Sequence, residues 1–180
     1  PQTLCRAAEE GHEIGLHSCC HDYMHQLPRE AVYDDLCENI EAVRECCGVT
    51  PRLFRPPGGL YDTGVLKRTV CADLPIVLWS VDPEDWHCTD CATVTRRILN
   101  AAGPGDIILM HESIPATVDA ALEIVDALLG RGYEFVTVSG LASAMGSQLT
   151  PGQEYSCFSA PGAWAPAIAF FRKLCYVLGA

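Results

Sequence analysis

Two rhythms of apolar residues alternate along the chain. Val32, Leu36, Ile40, Val43 and Cys47 recur at steps of three and four, the spacing that gathers side chains on one face of an α-helix. Pro28 suits the first turn of that helix and Gly48 its end, while Asp34, Asp35, Glu38, Glu41 and Glu45 make up much of its solvated remainder. The same period predicts a helix with Cys91, Val94 and Ile98 inward, capped by Thr89 or Asp90 and followed by Gly103. It predicts another, opened by Pro115 and stopped by Gly130, with Val118, Leu122, Val125 and Leu129 inward. Shorter helices are expected over residues 3–10, where Leu4, Ala7 and Ala8 share a face before Gly11, and over about 62–72. The second rhythm is the brief apolar or extended run. Runs at 13–16, 52–55, 75–80, 106–111 and 133–138 read as strands, several of the fully buried kind.

Strand and helix alternate with short connections. That order implies parallel strands with helices packed outside them, as an open doubly wound sheet or a barrel. From residue 141 the pattern lapses. Pro, Gly and Ser interrupt the chain before a mostly apolar run at 167–178, too short to span a bilayer. The expected division is a domain over 1–145 and a tail of unassigned role over 146–180.

Composition narrows the class. The chain has 180 residues, 49% of them hydrophobic and 19% charged, enough for one domain with a real core. A net charge of −11 argues against nucleic acid or an anionic membrane as partner; a neutral or cationic substrate is compatible with it. The chain opens on Pro1 without a Met, a signal peptide or a membrane-spanning run, and reads as cut at its N-terminus. Its 11 cysteines include the adjacent pairs Cys19-Cys20 and Cys46-Cys47 and a Cys88-x-x-Cys91 clip. A four-cysteine zinc site needs a second clip, and none occurs. Most of the cysteines are expected to be reduced core or surface thiols.

The chemistry collects where the strands end. His17 follows the first strand and His21 lies four residues on; a helical turn there would stack both imidazoles as two nitrogen ligands for a divalent metal. Arg55 ends the second strand, Asp82 and Asp85 follow the third, and His111 ends the fourth. In parallel α/β folds these ends share one face, where catalytic groups gather. Singly, each residue has a structural explanation: a surface ion pair for Arg55, a turn or cap for Asp85, a satisfied core imidazole for His111. Four strand ends delivering His, Arg, Asp and His to one face point to an active site.

The motifs that hold these residues are Gly11-His-Glu-Ile-Gly-Leu-His17-Ser-Cys-Cys-His21, Phe54-Arg-Pro-Pro-Gly-Gly59, Leu78-Trp-Ser-Val-Asp-Pro-Glu-Asp-Trp86, Gly105-Asp-Ile-Ile-Leu-Met-His111 and Gly132-Tyr-Glu-Phe-Val-Thr-Val138. In this order they resemble the NodB-homology polysaccharide deacetylases, carbohydrate esterase family four, over about residues 4–155. The resemblance implies a deformed (β/α) barrel and metal-dependent removal of acetyl groups from N-acetylated polysaccharide, peptidoglycan- or chitin-like. It implies His17 and His21 as ligands of a divalent ion, zinc by expectation, His111 as general acid and Asp85 as its partner. By the same resemblance Arg55 orients the base, the Gly58 N–H serves the oxyanion, and Trp86 and Leu109 form walls of the substrate groove. The parent protein would be extracellular or at the cell surface, with polysaccharide as its partner. Two departures stand out. The family usually carries Tyr where Gly58 stands, and its Asp-Asp-Gly segment, source of the base and third metal ligand, does not precede Gly11. The chain therefore reads as an N-terminally truncated deacetylase lacking its first strands and inactive alone. The alternatives are a non-catalytic barrel that retains at most glycan binding, or a zinc protein built on Cys88 and Cys91.

Overall fold

The computed structural model describes residues 2–88 and 90–159; Thr89 and the apolar run at 167–178 lie outside the described residues. The expected helices form. α1 (Gln2–Glu9) ends where Gly11 turns left-handed at φ 80°. α2 (Arg29–Cys47) buries Val32, Leu36 and Val43, and Gly48, at φ 69°, returns its N–H to the Arg44 carbonyl. α3 (Thr63–Cys71) is capped by the Asp62 side chain, which accepts from the Val65 N–H. α4 (Cys91–Ala101) is capped by Asp90, which accepts from Thr93, and buries Val94 and Ile98. Each such cap satisfies an N–H that the first helical turn leaves without an internal partner.

α5 (Pro115–Gly130) corrects one expectation. It buries Thr117, Ala120, Ile124 and Leu128, whereas Val118, Leu122 and Leu129 are 48%, 72% and 49% exposed. Both sets obey the helical period, so spacing alone does not choose between them. The neighbour chooses: Ala120, Ile124 and Leu128 close on Val81, Val94 and Ile98, and the small Ala120 lets α5 approach α4.

The strands are short and parallel. Leu16 bridges Phe54, and Phe54 bridges Ile76; β1 (Ile76–Val77) then pairs with β2 (Glu154–Tyr155). The ladder is carried by Leu16 N–H to Leu53 O at 2.8 Å, Val77 N–H to Phe54 O at 2.8 Å and Leu78 N–H to Tyr155 O at 2.8 Å. Past β1 the chain changes neighbour, and Val81 bridges Ile108 in parallel. Leu16, Phe54 and Ile76 are at most 1% exposed, each burying a side chain worth about 1.5–3 kcal/mol. Because these segments run the same way, His17, Arg55, Asp82 and His111 all follow carboxyl ends on one side.

Two further findings alter the expected C-terminal half. Residues 133–137 join no strand among the described residues, and Val138 opens α6 (Val138–Ala144). A strand needs a neighbour to accept its hydrogen bonds; here this stretch lines an apolar cavity of about 310 Å³ against Val125 and Leu128 of α5. Residues 146–159, expected in a tail, supply β2, and Phe158 joins Leu53, Val77 and Ile107 in a core cluster. Gly105 shows how closely this segment docks: at φ 87°, a Cβ there would lie 1.8 Å from the Phe158 carbonyl oxygen. Among the described residues no helix is long and apolar enough to cross a membrane.

Phe158→Ala should therefore cost about 3–5 kcal/mol in chemical denaturation. An unchanged midpoint would mean that residues 146–159 do not belong to the core.

Candidate active site

The histidine loop is a strained turn, not the helical turn expected. Ser18 and His21 adopt left-handed backbones at φ 69° and 59°, conformations that non-glycine residues hold only when their surroundings enforce them. The enforcement comes from α2. Asp35 Oδ2 accepts from Ser18 Oγ at 3.2 Å and from the Cys19 N–H at 3.0 Å, and Ser18 Oγ accepts from the Asp22 N–H at 3.3 Å. Asp35 is thus a latch beside the buried stripe, not the solvated helix residue its sequence position suggested. The turn brings His17 and His21 edge to face, with ring centroids 4.9 Å apart.

His17 Nδ1 lies 2.7 Å from the Arg55 carbonyl oxygen. That contact makes Nδ1 the protonated nitrogen and leaves Nε2 with a lone pair. Burial pushes the His17 pKa down to about 4, with help from the charges of His21, Arg55 and His111; the ring is neutral at physiological pH. A neutral imidazole with one nitrogen anchored and the other open is the form that binds a divalent ion. His17 and His21 therefore fit two positions of such a donor set. Among the described residues no third His, Cys, Asp or Glu groups with them at ligand spacing.

Across the strand ends stands a second unit. Asp85 is fully buried and sits in a 3₁₀ turn, Asp85–His87, entered through Glu84 at φ 52°. Its Oδ1 lies 2.8 Å from His111 Nδ1. Its Oδ2 accepts from the His111 N–H at 2.7 Å and from Thr117 Oγ1 at 2.8 Å. Burial alone would raise the Asp85 pKa, but the bonds from His111 and Thr117 outweigh it and hold the carboxyl below its ordinary value. The hydrogen bond to Asp85 raises the His111 pKa above 6.5, against the opposing effect of burial. The His111 side chain remains 39% exposed, so a substrate can reach the nitrogen that Asp85 does not hold.

Arg55 is buried. Its Nε donates to the Val77 carbonyl at 3.2 Å, an Nη donates to Leu78 at 3.3 Å, and the guanidinium stacks 5.7 Å over Trp79. These bonds fasten the second strand end to the third. The adjoining Pro57–Gly59 turn has Gly58 at φ 63°. Its internal hydrogen bonds use the N–H groups of Gly59 and Leu60, not that of Gly58. A Cβ on Gly59 would meet the Trp79 ring at 2.8 Å, and one on Gly58 would meet the Tyr23 ring at 3.0 Å. Leu109 is buried, while Trp86 is 61% exposed and packs on His87 at 4.3 Å. Cys88 and Cys91 join no metal-sized cluster among the described residues.

Sequence reasoning missed Asp35, Thr117 and Trp79. Thr117 follows His111 by six residues and lies on the face of α5 that spacing did not select. Asp35 immediately precedes buried Leu36, a position beside the apolar stripe that could have marked it.

Known proteins resemble the chain in sequence and in fold. The family pattern for polysaccharide deacetylase matches residues 1–77. The peptidoglycan-N-acetylmuramic acid deacetylase PdaC of Bacillus subtilis (strain 168) is 37% identical over 142 residues, covering 78% of this chain but 30% of the relative; the chain thus spans under a third of that protein's length. A peptidoglycan-N-acetylglucosamine deacetylase of Bacillus cereus (strain ATCC 14579) is 34% identical over 146 residues, covering 78% of this chain and 68% of the relative. Among solved structures, a T48 deacetylase with substrate superposes with a TM-score of 0.81 at 35% identity, covering 87% of this chain and 76% of that one. The strand and helix order is accordingly that of the deacetylase (β/α) barrel.

The Asp85–His111 pair makes a signed prediction about pH. Raising the His111 pKa in the folded state gives stability that is complete below pH 6.5 and lost as pH rises through the raised value. Lowering the Asp85 pKa gives stability present above about pH 3.8 and lost as pH falls through the lowered value. The stability gap between the wild type and Asp85→Asn should therefore be widest at mildly acid pH and shrink at both ends. A gap that stays constant from pH 3 to 9 (roughly the range in which both groups titrate) would contradict the pairing.

Proposed function

Because the chain belongs to the polysaccharide deacetylase family, we propose that its parent protein is a metal-dependent hydrolase removing acetyl groups from N-acetylated polysaccharide, with N-acetylglucosamine of peptidoglycan- or chitin-like polymers as the substrate. The names of the two curated relatives support the polymer. The observation that carries the chemistry is the His111–Asp85 contact of 2.8 Å beneath an accessible imidazole.

His17 and His21 would hold the divalent ion, zinc by our assignment. When bound, such an ion lowers the pKa of a coordinated water and polarises a carbonyl. The chain's own residues do the rest. The Arg55 carbonyl fixes the His17 ring and its tautomer. The Gly58 N–H, outside the turn's internal bonding, donates to the carbonyl oxygen as negative charge builds there. Trp86 offers an exposed aromatic face to the polymer. Water gives a proton to the base as its oxygen adds to the acetyl carbon, the carbon–nitrogen bond breaks, and the departing amine takes its proton from His111. Asp85 keeps His111 protonated until that step and stabilises the imidazolium. Arg55 orients the base through its fixed position at the second strand end. We assign the base and a third metal ligand to an Asp-Asp-Gly segment of the parent protein, since none occurs in these 180 residues. We infer a location outside the cell membrane, where such polymers lie.

The test is acetate release by the full parent protein with added zinc. His111→Ala should reduce kcat by about 10²–10⁴-fold with metal content unchanged, whereas His17→Ala should lower metal content. The wild-type rate should fall as pH rises through the raised pKa of His111, the proton donor. Full activity in His111→Ala would remove its assignment as acid. A wild-type parent that releases no acetate yet binds glycan would favour a non-catalytic barrel.

A further inference from the structure

Away from the histidine loop, the fold gathers three thiols that are distant in sequence. Cys5 comes from α1; Cys46 and Cys47 come from the last turn of α2. The sulfurs of Cys5 and Cys46 are 3.7 Å apart, and all three sulfurs lie within 4.8 Å of one another. Cys5 Sγ also points at the Cys46 carbonyl at 3.2 Å, and Cys47 Sγ at the Val43 carbonyl at 3.4 Å. Leu4, Ala7, Ala8 and Cys47 pack against the same core cluster, so the two helices hold the thiols together. Asp35, which latches the histidine loop, is eleven or more residues earlier on α2, about 17 Å along the helix axis at 1.5 Å per residue. The thiols and the imidazoles are separate groups.

We propose that Cys5, Cys46 and Cys47 form a second, structural metal site for a thiophilic divalent ion of the zinc type, bound as three thiolates. The geometry is the main argument. With zinc–sulfur bonds of about 2.3 Å in tetrahedral arrangement, adjacent sulfurs lie about 3.8 Å apart. Cys5 and Cys46 already stand close to that separation, at 3.7 Å, and the Cys47 sulfur lies within 4.8 Å of both. Thiolate ligands select zinc and its soft relatives over magnesium or calcium. Cys46 is exposed and gives the ion a path in, while Cys5 and Cys47 are half-buried. Because the ligands are thiolates, binding of the ion releases their protons. Once bound, it ties α1 to the end of α2.

Cadmium titrated into the reduced protein, with absorbance followed for thiolate-to-metal charge transfer, tests the site. Cys46→Ser is the primary variant because the residue is exposed and its replacement leaves the core intact; circular dichroism checks its fold. The expected result is a charge-transfer band in the wild type that loses one equivalent of cadmium in Cys46→Ser. Cys5→Ser and Cys47→Ser should do the same. The band should persist in Cys88→Ser/Cys91→Ser and in His17→Ala/His21→Ala. Zinc should raise the Tm of the wild type and of His17→Ala/His21→Ala, but not that of Cys46→Ser. The proposal is overturned if the reduced wild type shows no band, or if Cys46→Ser keeps the full stoichiometry. It is equally overturned if the thiols yield only a Cys5–Cys46 disulfide in peptide mapping, with no metal uptake after reduction.

Discussion

A carboxylate without exposed surface must be surrounded by donors, and Asp85 sets that demand at the centre of this fold. Burying an ion unpaired costs several kcal/mol, so the loop after β1, the strand end at His111 and the start of α5 have to converge. They do so through His111 Nδ1, the His111 N–H and Thr117 Oγ1. The bond to His111 Nδ1 raises the affinity of His111 for its proton and fixes which nitrogen faces outward. Structural demand and chemical competence are here one interaction.

The rest of the face is assembled by comparable fastenings between neighbouring strand ends. The Arg55 carbonyl aligns His17, and the Arg55 guanidinium reaches the carbonyls of Val77 and Leu78. Asp35 holds the histidine turn in a backbone conformation that Ser18 and His21 would otherwise avoid. Each reactive group is thus positioned by the element beside its own. A parallel sheet makes this possible, because only parallel strands bring successive carboxyl ends to one side.

Much of this was legible in the residues themselves. α2 and α4 announced their inward faces because their other sides are polar, leaving one solution to the spacing. α5 did not, since Val118, Leu122 and Leu129 repeat as regularly as Ala120, Ile124 and Leu128; the choice rests on the shape of α4, which no local pattern encodes. The strand pattern at 133–138 was misleading for a similar reason. Its composition suits a strand, but a ladder requires a neighbour, and among the described residues this stretch has none. Site residues that end strands are marked by their place along the chain. Asp35, Thr117 and Trp79, which hold those residues from other elements, depend on contacts between distant segments. The thiols of Cys5 and Cys46 meet across 41 positions, and only folding joins them.

In the proposed reaction His17, His21 and His111 serve one site, so an ion held by the first two should be felt by the third. A direct test is the titration of the His111 ring by NMR with and without zinc. The midpoint should lie above 6.5 in the metal-free protein, move down when zinc adds positive charge nearby, and stay in place in His21→Ala. A His111 midpoint that zinc leaves unchanged, while zinc demonstrably binds His17 and His21, would contradict a shared site.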